Sequence, residues 1–267
     1  MDGILLSGRG LHGGTRCSIE FVRRPGPVRF LTPSGDVALN ELSPVRLDRG
    51  VRVAAGDFEV ELVEHLFAAL AGLDVHEGLT LEVVGGEVPL LDGGARELAL
   101  AIAALGPRST PPRLRVERAG TLELGETRYV FTPGPTRRLV VEVDFPGVGP
   151  QRAEYAGDRH QFLEFIAPAR TFGYLSEARQ LAARGLARGF DPHAVLVLDD
   201  EGRAVPPSAP ATSDELARHK LLDFMGDLYL YGGPPLGEIQ ATRPGHAPTH
   251  AALRRALREG LVSQRPS

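Results

Sequence analysis

The sequence predicts an α+β protein made of two α+β units. Three observations carry this reading. A pattern of strands and helices runs through once and begins again after residue 110; the Gly/Pro stretch Gly106-Pro107 and Pro111-Pro112 separates the two runs; and a helix in each run carries a His seven positions ahead of a Gly, His65 before Gly72 and His219 before Gly226. The units expected are residues 1–110 and 111–267. Were the two halves to pack with these helices facing, His65 and His219 would meet.

The elements follow in order. Cys17, Ile19 and Phe21 share one face of a strand and Ser18 and Glu20 the other, with a turn expected at Arg24-Pro25-Gly26-Pro27. Val63 to Ala71 is Ala/Leu-rich, poor in β-branched residues and stopped by Gly72, so it reads as a buried helix. Leu79 to Val84 is a strand broken by Gly85-Gly86, and Glu97 to Leu105 is helical. Strands are then expected at Leu114 to Glu117, Thr127 to Phe131 and Leu139 to Phe145, and helices at Asp158 to Phe165 and Glu177 to Leu186. Ala194 to Leu198 is a short apolar strand, and Pro206 to Pro210 a loop. A capping box of Thr212 and Glu215 opens a helix that Gly232-Gly233-Pro234-Pro235 ends, and Thr249 to Leu261 forms an Arg-rich amphipathic helix.

With 267 residues, 42% hydrophobic and 24% charged, the chain can bury one large core or two modest ones, which excludes a disordered or fibrous protein. A formal charge of -4 without any block of like charges speaks against nucleic acid as a partner. Ile4-Leu5-Leu6 is too short for a signal-peptide core and no stretch has the length of a membrane span, so a cytoplasmic protein is expected. The single cysteine, Cys17, can form neither an internal disulfide nor a Cys-rich metal site; a metal would need His and carboxylate ligands. Nearly all basic charge is Arg, and Lys220 is the only lysine.

That lysine stands in the most informative stretch, Arg218 to Asp227. His219, Asp223 and Asp227 lie at i, i+4 and i+8, on one helix face, where an imidazole and a carboxylate one turn apart can chelate a divalent ion. An ordinary solvated His/Asp pair has the same spacing, but a helix otherwise rich in Leu, Phe, Met and Tyr is expected to be buried, and buried charges need a partner or a metal. Glu64-His65 opens the first helix, either as a dipole-stabilising Glu beside a core His or as a base beside a third ligand. Thr171 lies between Arg170 and Phe172 before a helix, as a cap or a functional hydroxyl. His246 is expected in a loop ahead of the last helix, while His76, His160, His193 and His250 read as surface or packing residues.

Together these segments resemble the UDP-3-O-acyl-N-acetylglucosamine deacetylase family of lipid A biosynthesis. The resemblance rests on seven motifs in order: Gly8 to Gly14, Val63 to Leu73, Glu87 to Gly93, Asp144-Phe145, Ala169 to Tyr174, Arg218 to Leu228, and Gly245-His246. It implies two similar two-layer α/β sandwich domains related by pseudo-symmetry, with the active site between them. It further implies zinc, with iron(II) as the alternative, on His65, His219 and Asp223, and Glu64 as general base. His246 would assist the leaving amine, oriented by Asp227, and Thr171 and Lys220 would stabilise the oxyanion. Asp144 and Phe145 would meet the uridine; Phe172 and Tyr174 would shape the substrate passage. A monomer acting on a small nucleotide-sugar is expected. The chain departs from the family at Leu62, where Thr is usual, at Gly13-Gly14, at Phe145-Pro146, and at Arg188, which falls in the segment that forms the family's apolar acyl tunnel. A charge there would favour another acetamido sugar as substrate; a third reading is a non-catalytic nucleotide-sugar-binding homologue.

Overall fold

The computed structural model describes residues 3–46 and 50–265. The first unit begins with strands β1 (Gly3–Arg9), β2 (Arg16–Pro27), β3 (Arg29–Thr32) and β4 (Gly35–Ala38). A three-stranded sheet follows, β5 (Ser43–Arg46), β6 (Val51–Ala55) and β7 (Phe58–Glu61), then helix α1 (Glu64–Gly72), β8 (Glu77–Val84) and α2 (Arg96–Leu105). The second unit opens with β9 (Leu114–Val116), β10 (Gly120–Leu124), β11 (Thr127–Thr132), β12 (Arg137–Phe145) and β13 (Gly149–Tyr155). It continues with α3 (Arg159–Gln161), which runs on in π-helical form through Phe162–Ile166, then β14 (Thr171–Tyr174), α4 (Leu175–Ala183) and β15 (Val195–Leu198). Helix α5 (Glu215–Tyr229), β16 (Gly237–Thr242), α6 (His246–Arg258) and β17 (Val262–Gln264) complete it.

The main sheets share one topology, β1-β2-β8-β3-β4 and β10-β11-β16-β12-β13. In each, two hairpins are laid down first and the last strand enters between them, antiparallel to the second strand and parallel to the third. The chain is thus an α+β fold of two similar sheet-rich units. We propose the division between them at about residue 110, inside the coil that follows Gly106, whose left-handed φ of 61° ends α2.

Aromatic contacts tie the layers together. Phe30 of β3 packs on Phe67 of α1, Phe67 on Tyr229 of α5, and Phe224 of α5 on Tyr129 of β11, giving the order sheet, helix, helix, sheet. The two glycines that echo in the sequence are points of close approach. A Cβ on Gly226 would stand 2.1 Å from the Glu64 carbonyl oxygen, and one on Gly72 2.3 Å from Cγ of Phe162. Asp74 and Arg137 add a two-pronged ion pair across the units.

Three local expectations are corrected. Arg24 to Pro27 is no turn: β2 runs through it with a register shift against β8, because the edge of that pairing tolerates a bulge where Pro and Gly weaken the ladder. The capping box is half made. Glu215 accepts from the Thr212 N–H at 2.8 Å, but the Thr212 hydroxyl accepts from Arg218 and donates to the Glu215 carboxylate while the Glu215 N–H goes to the Thr212 carbonyl, and Glu215 also binds Arg170 at 2.8 Å. The last helix starts at His246, three residues early, since Pro248 fits a first turn where its missing N–H costs nothing. No helix among the described residues is long and apolar enough to cross a membrane.

Candidate metal and catalytic centre

The facing of α1 and α5 creates the centre. The His65 and His219 rings meet edge to face with centroids 5.1 Å apart. Asp223, one turn beyond His219, sets Oδ1 3.7 Å from His65 Nε2 and 3.6 Å from His219 Nε2, and the three donor atoms lie within 4.8 Å of one another. Ligands at the usual bond lengths of a tetrahedral zinc stand roughly 3.3 Å apart, so these three can close on one ion with small shifts. His219 Nδ1 lies 3.1 Å from the Ala169 carbonyl; a proton held there leaves the Nε2 lone pair facing the cluster. Burial pushes the His219 imidazole down to about 4, so it stays neutral, as a ligand must. The donor set fits a divalent metal.

Lys220 reaches the other Asp223 oxygen at 2.6 Å. Burial opposes the Asp223 charge, but Lys220 and His219 outweigh it and hold the carboxyl well below its usual range. Glu64 is 6% exposed and is held from the first unit's extra sheet, where the Val51 N–H donates to Oε2 at 2.9 Å. Gly50, at φ 86°, leaves room for that carboxylate; its Cβ would lie 2.8 Å from Oε1. His246 is the first residue of α6, and its Nδ1 lies 2.9 and 3.1 Å from the Asp227 oxygens. Burial alone would lower this imidazole, but Asp227 overrides it and raises it to about 9. Its Nε2 points toward the cluster, 4.0 Å from Asp223.

These groups open into a cavity of about 670 Å³, lined also by Thr171, Phe172, Tyr174 and Phe145. Phe172 packs edge-on against both His219 and Phe145, and the Tyr174 hydroxyl donates to the Pro146 carbonyl at 2.8 Å. Thr171 opens β14, with its N–H on the Gly93 carbonyl. The wall beyond is apolar, with Leu11, Leu90, Leu181, Leu186, Phe190 and Val197. Leu62, at φ 58°, also lines it. Asp144 stands apart: strand alternation turns it from Phe145's side into a shallow neighbouring cavity of about 580 Å³, 3.6 Å from Arg243.

The profile of the UDP-3-O-acyl N-acetylglycosamine deacetylase family (LpxC) matches residues 2–259. The chain belongs to this family. The UDP-3-O-acyl-N-acetylglucosamine deacetylases of Brucella melitensis biotype 2 and Brucella abortus strain S19 are each 30% identical to it over 267 residues, covering 95% of this chain and 92% of the relative.

Arg188 does not place a charge in the apolar wall. It is exposed, its guanidinium lies over Gly185, and its N–H is tied to the His12 carbonyl, so the backbone passes the cavity while the side chain leaves it. The N-terminal motif and the Glu87 motif are two halves of one structure: Glu87 accepts from the His12 and Gly13 N–H groups at 3.0 and 2.6 Å, and a Cβ on Gly10 would strike its carboxylate. Sequence reasoning missed His250, which is 6% exposed and has Nε2 3.4 Å from Asp227 Oδ1. The signal was present, since His250 is four residues after His246; starting the helix at Thr249 hid it.

Proposed function

We propose that this chain removes the N-acetyl group from a UDP-3-O-acyl-N-acetylglucosamine in lipid A biosynthesis, releasing acetate and a free glucosamine amine. The observation that carries this reading is two imidazoles and a carboxylate converging within 4.8 Å beside a cavity with an apolar wall. His65, His219 and Asp223 would hold zinc or iron(II), a donor set that suits either. When bound, such an ion supplies a Lewis acid for the amide carbonyl and makes water a nucleophile near neutral pH. Glu64, next to His65 and steadied by Val51, takes the proton from the attacking water. Lys220 and Thr171 stabilise the oxygen that gains charge as the carbonyl is attacked. His246, kept protonated by Asp227, gives its proton to the nitrogen, without which an amine does not leave.

Phe172 and Tyr174 shape the passage. Phe145 lines one cavity and Asp144 the next, so a uridine seated across this strand end would meet both. With Arg188 outside the lining, the apolar wall suits an acyl chain better than an unacylated acetamido sugar. All these groups come from one chain, so the site is complete in a monomer, and a cytoplasmic monomer is the form proposed. The test is acetate release from UDP-3-O-(3-hydroxyacyl)-N-acetylglucosamine by zinc-reconstituted protein, with a chelated sample and the unacylated nucleotide beside it. Chelator-sensitive release that favours the acylated substrate is expected; no release from folded, zinc-loaded protein overturns the reading.

A further inference from the structure

Asp227 is contacted by two imidazoles. His246 and His250 stand one turn apart on α6 and both face α5, His246 with Nδ1 at 2.9 Å and His250 with Nε2 at 3.4 Å from the same Asp227 oxygen. Asp227 is 2% exposed, and His250 Nε2 is buried without a hydrogen bond of standard geometry among the described residues, the Asp227 oxygen at 3.4 Å standing within ion-pair range of it. On its far side, His250 Nδ1 lies 3.2 Å from the Tyr231 hydroxyl. The neighbouring Thr249, fully buried and bonded to the Tyr129 hydroxyl at 2.8 Å, anchors this turn of the helix.

An ionised carboxylate only accepts hydrogen bonds, so the nitrogen facing Asp227 carries a proton; in the neutral ring this leaves Nδ1 an acceptor, to which Tyr231 donates. We propose that His250 is a positioning residue: it donates Nε2–H to Asp227 in a tautomer set by the Tyr231 hydroxyl, and so fixes the carboxylate that orients His246. This rests on His246 being the proton donor of the proposed reaction. Nothing is transferred along the chain; each group holds the next.

The test uses zinc-loaded protein with three variants. Outer hydrogen-bond partners of this kind are worth on the order of 10- to 100-fold, so His250→Phe should lower kcat into that range with KM and melting temperature little changed. His250→Gln, which returns an N–H at the Nε2 position, should recover most of the loss, and Tyr231→Phe should cost less than His250→Phe. Added to Asp227→Asn, His250→Phe should cost nothing more. Nitrogen-15 NMR of histidine-labelled protein reads the relay without substrate: the His250 proton should sit on Nε2 in the wild type and redistribute between the nitrogens in Tyr231→Phe. A proton on Nδ1, an unchanged kcat in His250→Phe, or additivity with Asp227→Asn overturns the proposal. Should the wild type release no acetate, the functional reading fails while the NMR result still decides the relay.

Discussion

Helices α1 and α5 occupy equivalent places in the two units, and the difference between them locates the chemistry. Both carry a His seven residues before a Gly, and those histidines meet. Around them the copies diverge. Where α5 has Asp223 and Asp227, four and eight residues after its His, the first unit has Ala69 and Leu73, both buried and apolar. Where α1 has Glu64 just before its His, α5 has Arg218, which turns outward to the Phe165 carbonyl. Repeated packing brings two imidazoles together, and unmatched neighbours add the carboxylates that turn them into a candidate metal site. The inserts divide labour in the same way: the first unit's small sheet secures Glu64, while the second unit's β14, α4 and β15 build the apolar wall.

Making α5 more like its counterpart gives the largest effect. Asp223→Ala, which copies Ala69, should abolish both retained metal and turnover, as should His65→Ala or His219→Ala; metal content after dialysis together with acetate release checks this. Full activity in metal-stripped Asp223→Ala would refute the site. Glu64→Gln should keep the metal yet lose about 10²- to 10⁴-fold in kcat, which separates the base from the ligands.

The His246–Asp227 pair predicts a pH dependence. Since the folded His246 is raised to about 9 from an ordinary 6.5, the pair's stabilisation is complete below about 6.5 and is lost as pH rises through about 9. A proton donor with that value makes kcat fall on the alkaline side near pH 9. Asp227→Asn removes the chief cause that raises His246, so the fall should move to lower pH; a profile that does not move assigns the donor elsewhere.

The echo glycines sharpen the comparison further. Gly226→Ala meets the backbone carbonyl of Glu64, which cannot yield without moving α1, whereas Gly72→Ala meets the ring of Phe162. The first should cost about 1–3 kcal/mol and also impair metal binding, and the second should cost stability while sparing the metal; denaturant titration and metal content tell them apart. The smallest effect is expected from Arg188→Ala, which should change stability and turnover of the acylated substrate by no more than about 0.5 kcal/mol. A large KM change there would return this side chain to the passage.

Much of this was legible because it depends on local spacing. The i, i+4, i+8 row on α5, the apolar run of α1 and the alternation of β2 follow from helical and strand periods, which a sequence displays directly. Strands β1, β10 and β13 passed unread because they are sheet edges with few buried positions and so only a weak alternation, and the insertion of the last strand between two hairpins because its partners lie far away in sequence and leave no local mark. Which side chains face the cavity was hidden in another way, because alternation shows that neighbours point to opposite faces but not which face borders the cavity. Arg188 lies in a segment that borders the apolar wall, yet loop geometry turns it outward; Asp144 follows the right motif, yet strand alternation sends it to the neighbouring cavity.

By itself, then, the sequence determined an α+β chain with a His and two carboxylates along one helix, a Glu-His pair on another and no cysteine ligands. Tertiary structure alone decided that the two helices touch at Gly226, that three donors converge, and that His250 reaches Asp227. Chain order sets what one element presents on its face, but which faces meet depends on packing whole sheets and helices against one another.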